Sequence, residues 1–209
     1  MRESSIERRR DFFDRLYVAA EAGREVLPWD RGGDPQQLLA DWAAQHPPDG
    51  AGRRAVVVGC GFGGDAEFLA RHGFATTGFD FSTTAIAAAR RLFPASAVEY
   101  AVADLLDLPP AWAGGFDFVL ESLTVQSLPR SVRPRVTAAV RSLVAPGGTL
   151  LVISGQQGHR DEPDTGPWPL SRADVESFGG DGVTTVRVEE PVGPDGRPRW
   201  RAEFRRHRG

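Results

Sequence analysis

The chain has 209 residues, 41% of them hydrophobic and 9% aromatic, a length and an apolar content that suit one sizeable globular core. A formal charge of -3 argues against nucleic acid or an anionic membrane surface as partner, and no apolar run approaches the roughly 20 residues of a membrane span. A single cysteine, Cys60, excludes an intramolecular disulfide framework, and the charged opening MRESSIERRRDFFDRLY lacks the apolar run of a signal peptide, so a cytoplasmic address is expected.

The opening reads as a helix from Ser4 to about Glu21. Asp34 and Pro35 then signal the cap and first turn of a second helix, whose Leu38, Leu39, Trp42 and Ala43 share one face and which ends before Pro47. From Arg54 onward short apolar runs alternate with helical periods: strand 55–59, helix 65–72, strand 75–80, helix 83–93, strand 97–103, strand 116–122, helix 131–145 and strand 149–154. Ser82 is the expected cap of the helix at 83–93, while Gly73 and Pro94 stop the helices before them. Pro146-Gly147-Gly148 reads as a turn. A loop over 155–169, a short helix over 171–178 and two strands, 183–190 and 199–204, complete the chain, the last strand running antiparallel to its neighbour. Arg205, Arg206, His207 and Arg208 form a basic tail expected to be solvated. The pattern is α/β: a Rossmann-like, seven-stranded, mostly parallel sheet with an antiparallel last strand, helices on both faces and an N-terminal helical lid. One domain is expected, with a helical cap over 1–50, a ligand-binding core over 51–154, and a substrate loop and hairpin over 155–209. Oligomeric state leaves no mark in the sequence.

Parallel sheets bind ligands beyond the carboxyl ends of their strands, and Gly59, Asp80, Asp104 and Glu121 end four successive strands. In VVVGCGFGGD the spacing of Gly59, Gly61 and Gly64 matches a dinucleotide fingerprint, and Gly59 and Gly61 let the backbone approach a ligand closely. Asp80, with Phe81 beside it, offers acceptor oxygens to ribose hydroxyls; its alternative is helix capping. Asp104 can accept from an exocyclic adenine amine while Leu105 packs on the ring, or it can cap the following turn. A nicotinamide cofactor would share the ribose acid, but it also brings a pyrophosphate to the helix N-terminus. Here Asp65 and Glu67 follow the loop and the next arginine is Arg71, which favours a cationic ligand. Cys60 reads as a compact apolar filler. His46, His72, His159 and His207 show no metal-ligand spacing; His159 either reaches the acceptor or lies in solvent. Acceptor contacts are expected from Phe12, Phe13 and Tyr17 of the opening helix, from the stretch 124–128 with Gln126, and from Trp168. The opening aromatics have an equally plain alternative role in docking that helix.

VVVGCGFGGD, TTGFDFS, YAVADLLDLP, FDFVLESLTVQSLP and LVAPGGTLLVIS together resemble the class I S-adenosylmethionine-dependent methyltransferases over Arg54 to Ser154. FFDRLYVAAEAGREVLPWDRGGDPQQLL adds a narrower resemblance to the thiopurine S-methyltransferase-like group, which includes thiol and halide methyltransferases. The resemblance implies S-adenosylmethionine held by Trp29, Gly59, Cys60, Gly61, Asp65, Asp80, Phe81, Asp104, Leu105 and Glu121, with Trp29 of PWD lying against it. Glu121 stands where the group has an aspartate; its roles are catalytic, as a general base, or binding of the cofactor's amino group. The implied acceptor is a small molecule, a thiol or other soft nucleophile. O- or N-methylation of a metabolite stays open, as do a nicotinamide oxidoreductase and a non-catalytic cofactor-binding module.

Overall fold

A computed structural model describes residues 3–158 and 166–208. Helix α1 (Glu3–Glu21) opens the chain and α2 (Gln37–Gln45) follows a connecting segment. Strand β1 (Arg54–Val58), α3 (Gly64–Arg71), β2 (Ala75–Asp80), α4 (Thr83–Leu92), β3 (Glu99–Val102), β4 (Phe116–Ser122), α5 (Arg133–Ser142) and β5 (Val144–Gly155) then alternate as the apolar runs require. The chain closes with α6 (Arg172–Glu176), β6 (Val183–Glu189) and β7 (Arg199–Arg206). The seven strands form one sheet in the order β3-β2-β1-β4-β5-β7-β6. The first five are parallel, and β7 inserts antiparallel between β5 and β6.

The central strands are apolar at nearly every position because both of their faces are covered. Along β5, Leu150 and Val152 face the core beneath α5 and α6, while Leu151 and Ile153 face the core beneath α2, α3 and α4. A third cluster joins Tyr17 of α1 to Leu27 and Ala85, with Phe13, Trp29 and Phe62 packed against it. It seats α1 on the carboxyl end of the sheet.

Three local expectations are corrected by tertiary contacts. Helix α2 is capped by Gln36, whose side chain accepts from the Leu38 amide, and not by Asp34. The Gln36 amide itself donates to Asp65 Oδ1 at 2.6 Å, drawing the preceding segment against the glycine loop instead of into the helix. The turn at Pro146 lies inside β5: Phe116 pairs with Val144 and Phe118 with Thr149, so residues 145–148 bulge from the ladder. Arg205 and Arg206 belong to β7 and not to a free tail, with Arg206 Nη1 donating to the Val144 carbonyl at 3.0 Å. Ser82 caps α4 as expected, accepting from the Ala85 amide at 3.2 Å.

Candidate active site

The sheet order reverses direction between β1 and β4, which leaves a crevice at the carboxyl ends of these two strands. A cleft of about 1090 Å³ opens there under α1. That exceeds the roughly 300–1,000 Å³ of ordinary small-molecule sites, so the cleft has room for a nucleoside and a second molecule.

Its floor is the glycine loop. Gly59 has φ of +62°, and a Cβ there would stand 2.5 Å from Thr124 Oγ1. Thr124 cannot retreat cheaply, because that hydroxyl donates to the Val58 carbonyl at 2.9 Å and ties the end of β4 over the loop. Only glycine fits. Next along the rim, Leu123 adopts φ of +62°, a conformation that side chains disfavour and that clusters at functional sites.

Asp80 ends β2 and is buried. Its Oδ2 accepts from the Gly61 amide at 3.1 Å and from Tyr17 Oη at 3.4 Å, and its Oδ1 from the Ser82 amide at 3.0 Å. Burial pushes its carboxyl above the usual range, partly opposed by the amides of Ser82 and Gly61. Asp104 meets Arg10 of α1 in an ion pair and accepts from the Leu106 amide at 2.9 Å. Asp65, at the start of α3, is pushed up to about 6 by burial, against the Gln36 amide and the charge of Arg31. Arg31 lines the same end of the cleft, and among the described residues its buried Nε has no hydrogen-bond partner. Sequence reading missed Arg31 because the charge that matters to Asp65 arrives from a distant segment, not from the helix after the loop.

Trp29, Gly59, Cys60, Gly61, Asp65, Asp80, Phe81, Asp104 and Leu105 all line the cleft. Cys60 is also a buried packing residue, its Sγ 3.3 Å from where a Gly78 Cβ would be, and burial pushes its thiol up, away from a reactive thiolate. Trp29 meets Phe13 and Tyr17 edge to face, at 5.7 and 6.4 Å between centroids, and Tyr17 meets Phe62 at 5.4 Å. Phe13, Tyr17 and Gln126 line the cleft as well, Gln126 Oε1 accepting from the Gly155 amide at 2.6 Å.

Two expected residues lie elsewhere. Glu121 is 0% exposed and is absent from the cleft wall. Period-two alternation points it to the same face of the sheet as Val119, and its Oε1 accepts from the Thr124 and Val125 amides, both at 2.8 Å. Burial pushes this carboxyl up to about 7. Trp168 packs outside the wall, its ring 5.4 Å from the Arg9 guanidinium and its amide donating to the Gln126 carbonyl at 2.7 Å. His159 lies outside the described residues. The turn between β6 and β7 supplies Asp195 and Arg197, and the start of β7 supplies Arg199, to the far end of the cleft, and sequence reading did not place them there. Among the described residues no group of three His, Cys, Asp or Glu could hold a metal ion, and no helix is long and apolar enough to cross a membrane.

Residues 55–148, which build the loop and the strand ends described above, match a family model described as a methyltransferase domain. Residues 55–148 are a methyltransferase domain. This methyltransferase is similar to a probable thiol methyltransferase 2 of Arabidopsis thaliana, 27% identical over 91% of this chain and 88% of that protein. It is also similar to a ubiquinone biosynthesis O-methyltransferase of Erwinia tasmaniensis, 34% identical over 53% of this chain and 46% of that one. A similar solved structure comes from work on the conversion of a disulfide bond into a thioacetal group during echinomycin biosynthesis. It has a TM-score of 0.73 and 25% identity, covering 94% of this chain and 91% of the other. A further structure of similar fold, the N-methyltransferase NodS of Bradyrhizobium japonicum in complex with S-adenosyl-L-homocysteine, has a TM-score of 0.63 and 22% identity, covering 81% of this chain and 84% of the other.

Proposed function

We propose that this methyltransferase acts on the sulfur of a small-molecule thiol, with the cofactor seated at the acidic end of the cleft. The site fits that cofactor on its own residues. Asp80 is aimed for ribose hydroxyls by two backbone amides, and Asp104 keeps acceptor capacity for an adenine amine beyond what Arg10 and Leu106 use. Arg31, whose buried Nε has no hydrogen-bond partner among the described residues, together with Asp65 offers one charge of each sign to the zwitterionic amino-acid end. Trp29, Tyr17, Phe13 and Phe62 surround the remaining wall with aromatic rings, which attract a sulfonium. When bound, S-adenosylmethionine supplies a methyl group that an acceptor lone pair displaces in line. The chain contributes positioning and exclusion of water.

The observation that carries the thiol reading is the withdrawal of Glu121. Its Oε1 accepts from the Thr124 and Val125 amides, its Oε2 is buried with no hydrogen-bond partner among the described residues, and the side chain does not line the cleft where a general base would act. With Glu121 off the cleft wall, an acceptor that ionises by itself suits the site best. A thiol does so, with an unperturbed pKa of about 8.5, whereas a phenol at about 10 needs help. The resemblance along nearly the whole chain to a protein named as a thiol methyltransferase points the same way. An oxygen acceptor is the second reading, favoured by the 34% identity to an O-methyltransferase, although that match covers only 53% of the chain.

A panel of a small thiol, a phenol and an amine, each incubated with purified protein and S-adenosylmethionine and followed by mass spectrometry, separates the readings. Methylation of the thiol at least about tenfold faster than of the other two is expected at pH 7.5. Faster methylation of the phenol or the amine would overturn the thiol reading.

A further inference from the structure

We propose that the acceptor carries a carboxylate, held by Arg197 on the turn between β6 and β7 and by Arg199 at the start of β7. The inference takes the far end of the cleft as the acceptor's place, and so rests on the methyl-transfer reading above.

Carboxylates outnumber cations at one end of the cleft, where the cations are Arg10 and Arg31. The end under α1 and the glycine loop collects Asp30, Asp34, Asp65, Asp80 and Asp104. The end beyond β5 is built by the hairpin, where two guanidiniums share one carboxylate: Arg199 Nη2 stands 2.7 Å and Arg197 Nε 3.5 Å from Asp195 Oδ2. The other acid of the turn, Glu190, stands 4.0 Å from Arg172 and pairs with neither of these two guanidiniums. Arg9 of α1 adds a further guanidinium to the lining, its Nε donating to the Ser127 carbonyl at 2.6 Å.

The turn is held as a docking surface must be. The Gly193 amide donates to the Arg197 carbonyl at 2.7 Å, and the Arg199 amide to the Pro191 carbonyl at 2.9 Å. Gln156 Nε2 donates to the Arg199 carbonyl at 3.2 Å, fastening the turn to the end of β5. Arg199 is 16% exposed in its side chain and Arg197 54%, so one guanidinium is fixed and partly desolvated while the other stands at the mouth. Planar guanidinium forks pair with carboxylates in two parallel hydrogen bonds. A carboxylate anchored there would turn the rest of a small acceptor toward the glycine loop. The same positive charge would also favour its thiolate over its thiol.

The test compares 3-mercaptobenzoate with 3-mercaptobenzamide as acceptors for wild type, Arg197→Ala and Arg197→Lys, at equal thiolate concentration. Wild type should prefer the carboxylate about tenfold in kcat/KM, with the difference in KM. That preference should fall toward one in Arg197→Ala and be partly kept in Arg197→Lys. Equal use of both thiols by wild type, or a preference that survives Arg197→Ala, would overturn the inference. Benzoate, which has no sulfur, titrated into protein saturated with S-adenosylhomocysteine reads the docking without the chemistry. Benzoate binding that is lost in Arg197→Ala, with neither thiol methylated, would sink the thiol reading and support the carboxylate site. Methylation of both thiols at equal KM with no benzoate binding would sink the carboxylate site and support the thiol reading.

Discussion

Burial of Glu121 places beneath the cleft a carboxyl that holds its proton to about pH 7, and Asp65 holds one to about pH 6. The unfolded chain releases these protons near 4.5 and 3.8. The stabilisation is therefore complete below those lower values and is lost as pH rises through 6 and 7. Ionising Glu121 in place costs roughly 3 kcal/mol, since no cation faces it among its hydrogen-bond partners, which are both backbone amides. Glu121→Gln keeps an acceptor for these amides and removes the titration. Its melting temperature should fall less than that of wild type between pH 5 and 8 and exceed it by several degrees at pH 8. Parallel pH profiles for the two proteins would show that Glu121 does not titrate in this range.

At the scale of an element, α1 is fastened to the two acids that end β2 and that follow β3. Arg10 pairs with Asp104 and Tyr17 with Asp80, while Ser82 Oγ donates to Asp14 Oδ1 at 2.7 Å. The same carboxylates are proposed to receive the nucleoside, so closure of α1 and cofactor binding share groups. Deleting residues 1–23 should leave a cooperative thermal transition and weaken S-adenosylhomocysteine at least about tenfold by calorimetry. Affinity equal to that of the full chain would remove the lid. Elements were legible where local pattern decides them. Apolar runs gave β1, β2 and β4 within a residue, and Ser82 gave the start of α4. Helix starts failed where another segment intervened: Gln36 is diverted to Asp65. At α5, Pro134 is tolerated only in the first turn, so a short 3-10 turn precedes a helix beginning at Arg133.

Across the whole molecule, the cleft lies where the sheet order reverses, and residues at strand ends were legible because the parallel sheet alone places them there. Gly59, Asp80 and Asp104 follow from that rule. Glu121 also ends a strand, but alternation along β4 turns its side chain under the floor, where the turn after the strand supplies two amides. Arg31, Arg197 and Arg199 come to the cleft only through tertiary placement. The hairpin reaches it because β7 inserts between β5 and β6, an order that no local pattern in the chain encodes. The cleft wall thus joins the glycine loop and the strand-end acids Asp80 and Asp104 to a hairpin more than ninety residues further along the chain.

That this cleft seats the cofactor is tested most directly by calorimetric titration of S-adenosylhomocysteine into wild type, Asp80→Ala and Arg31→Ala. Saturable binding by wild type is expected, weakened roughly ten- to hundredfold in each variant, as suits the loss of a charged hydrogen-bonding partner. Wild-type affinity in Asp80→Ala, with the fold intact by circular dichroism, would contradict the account.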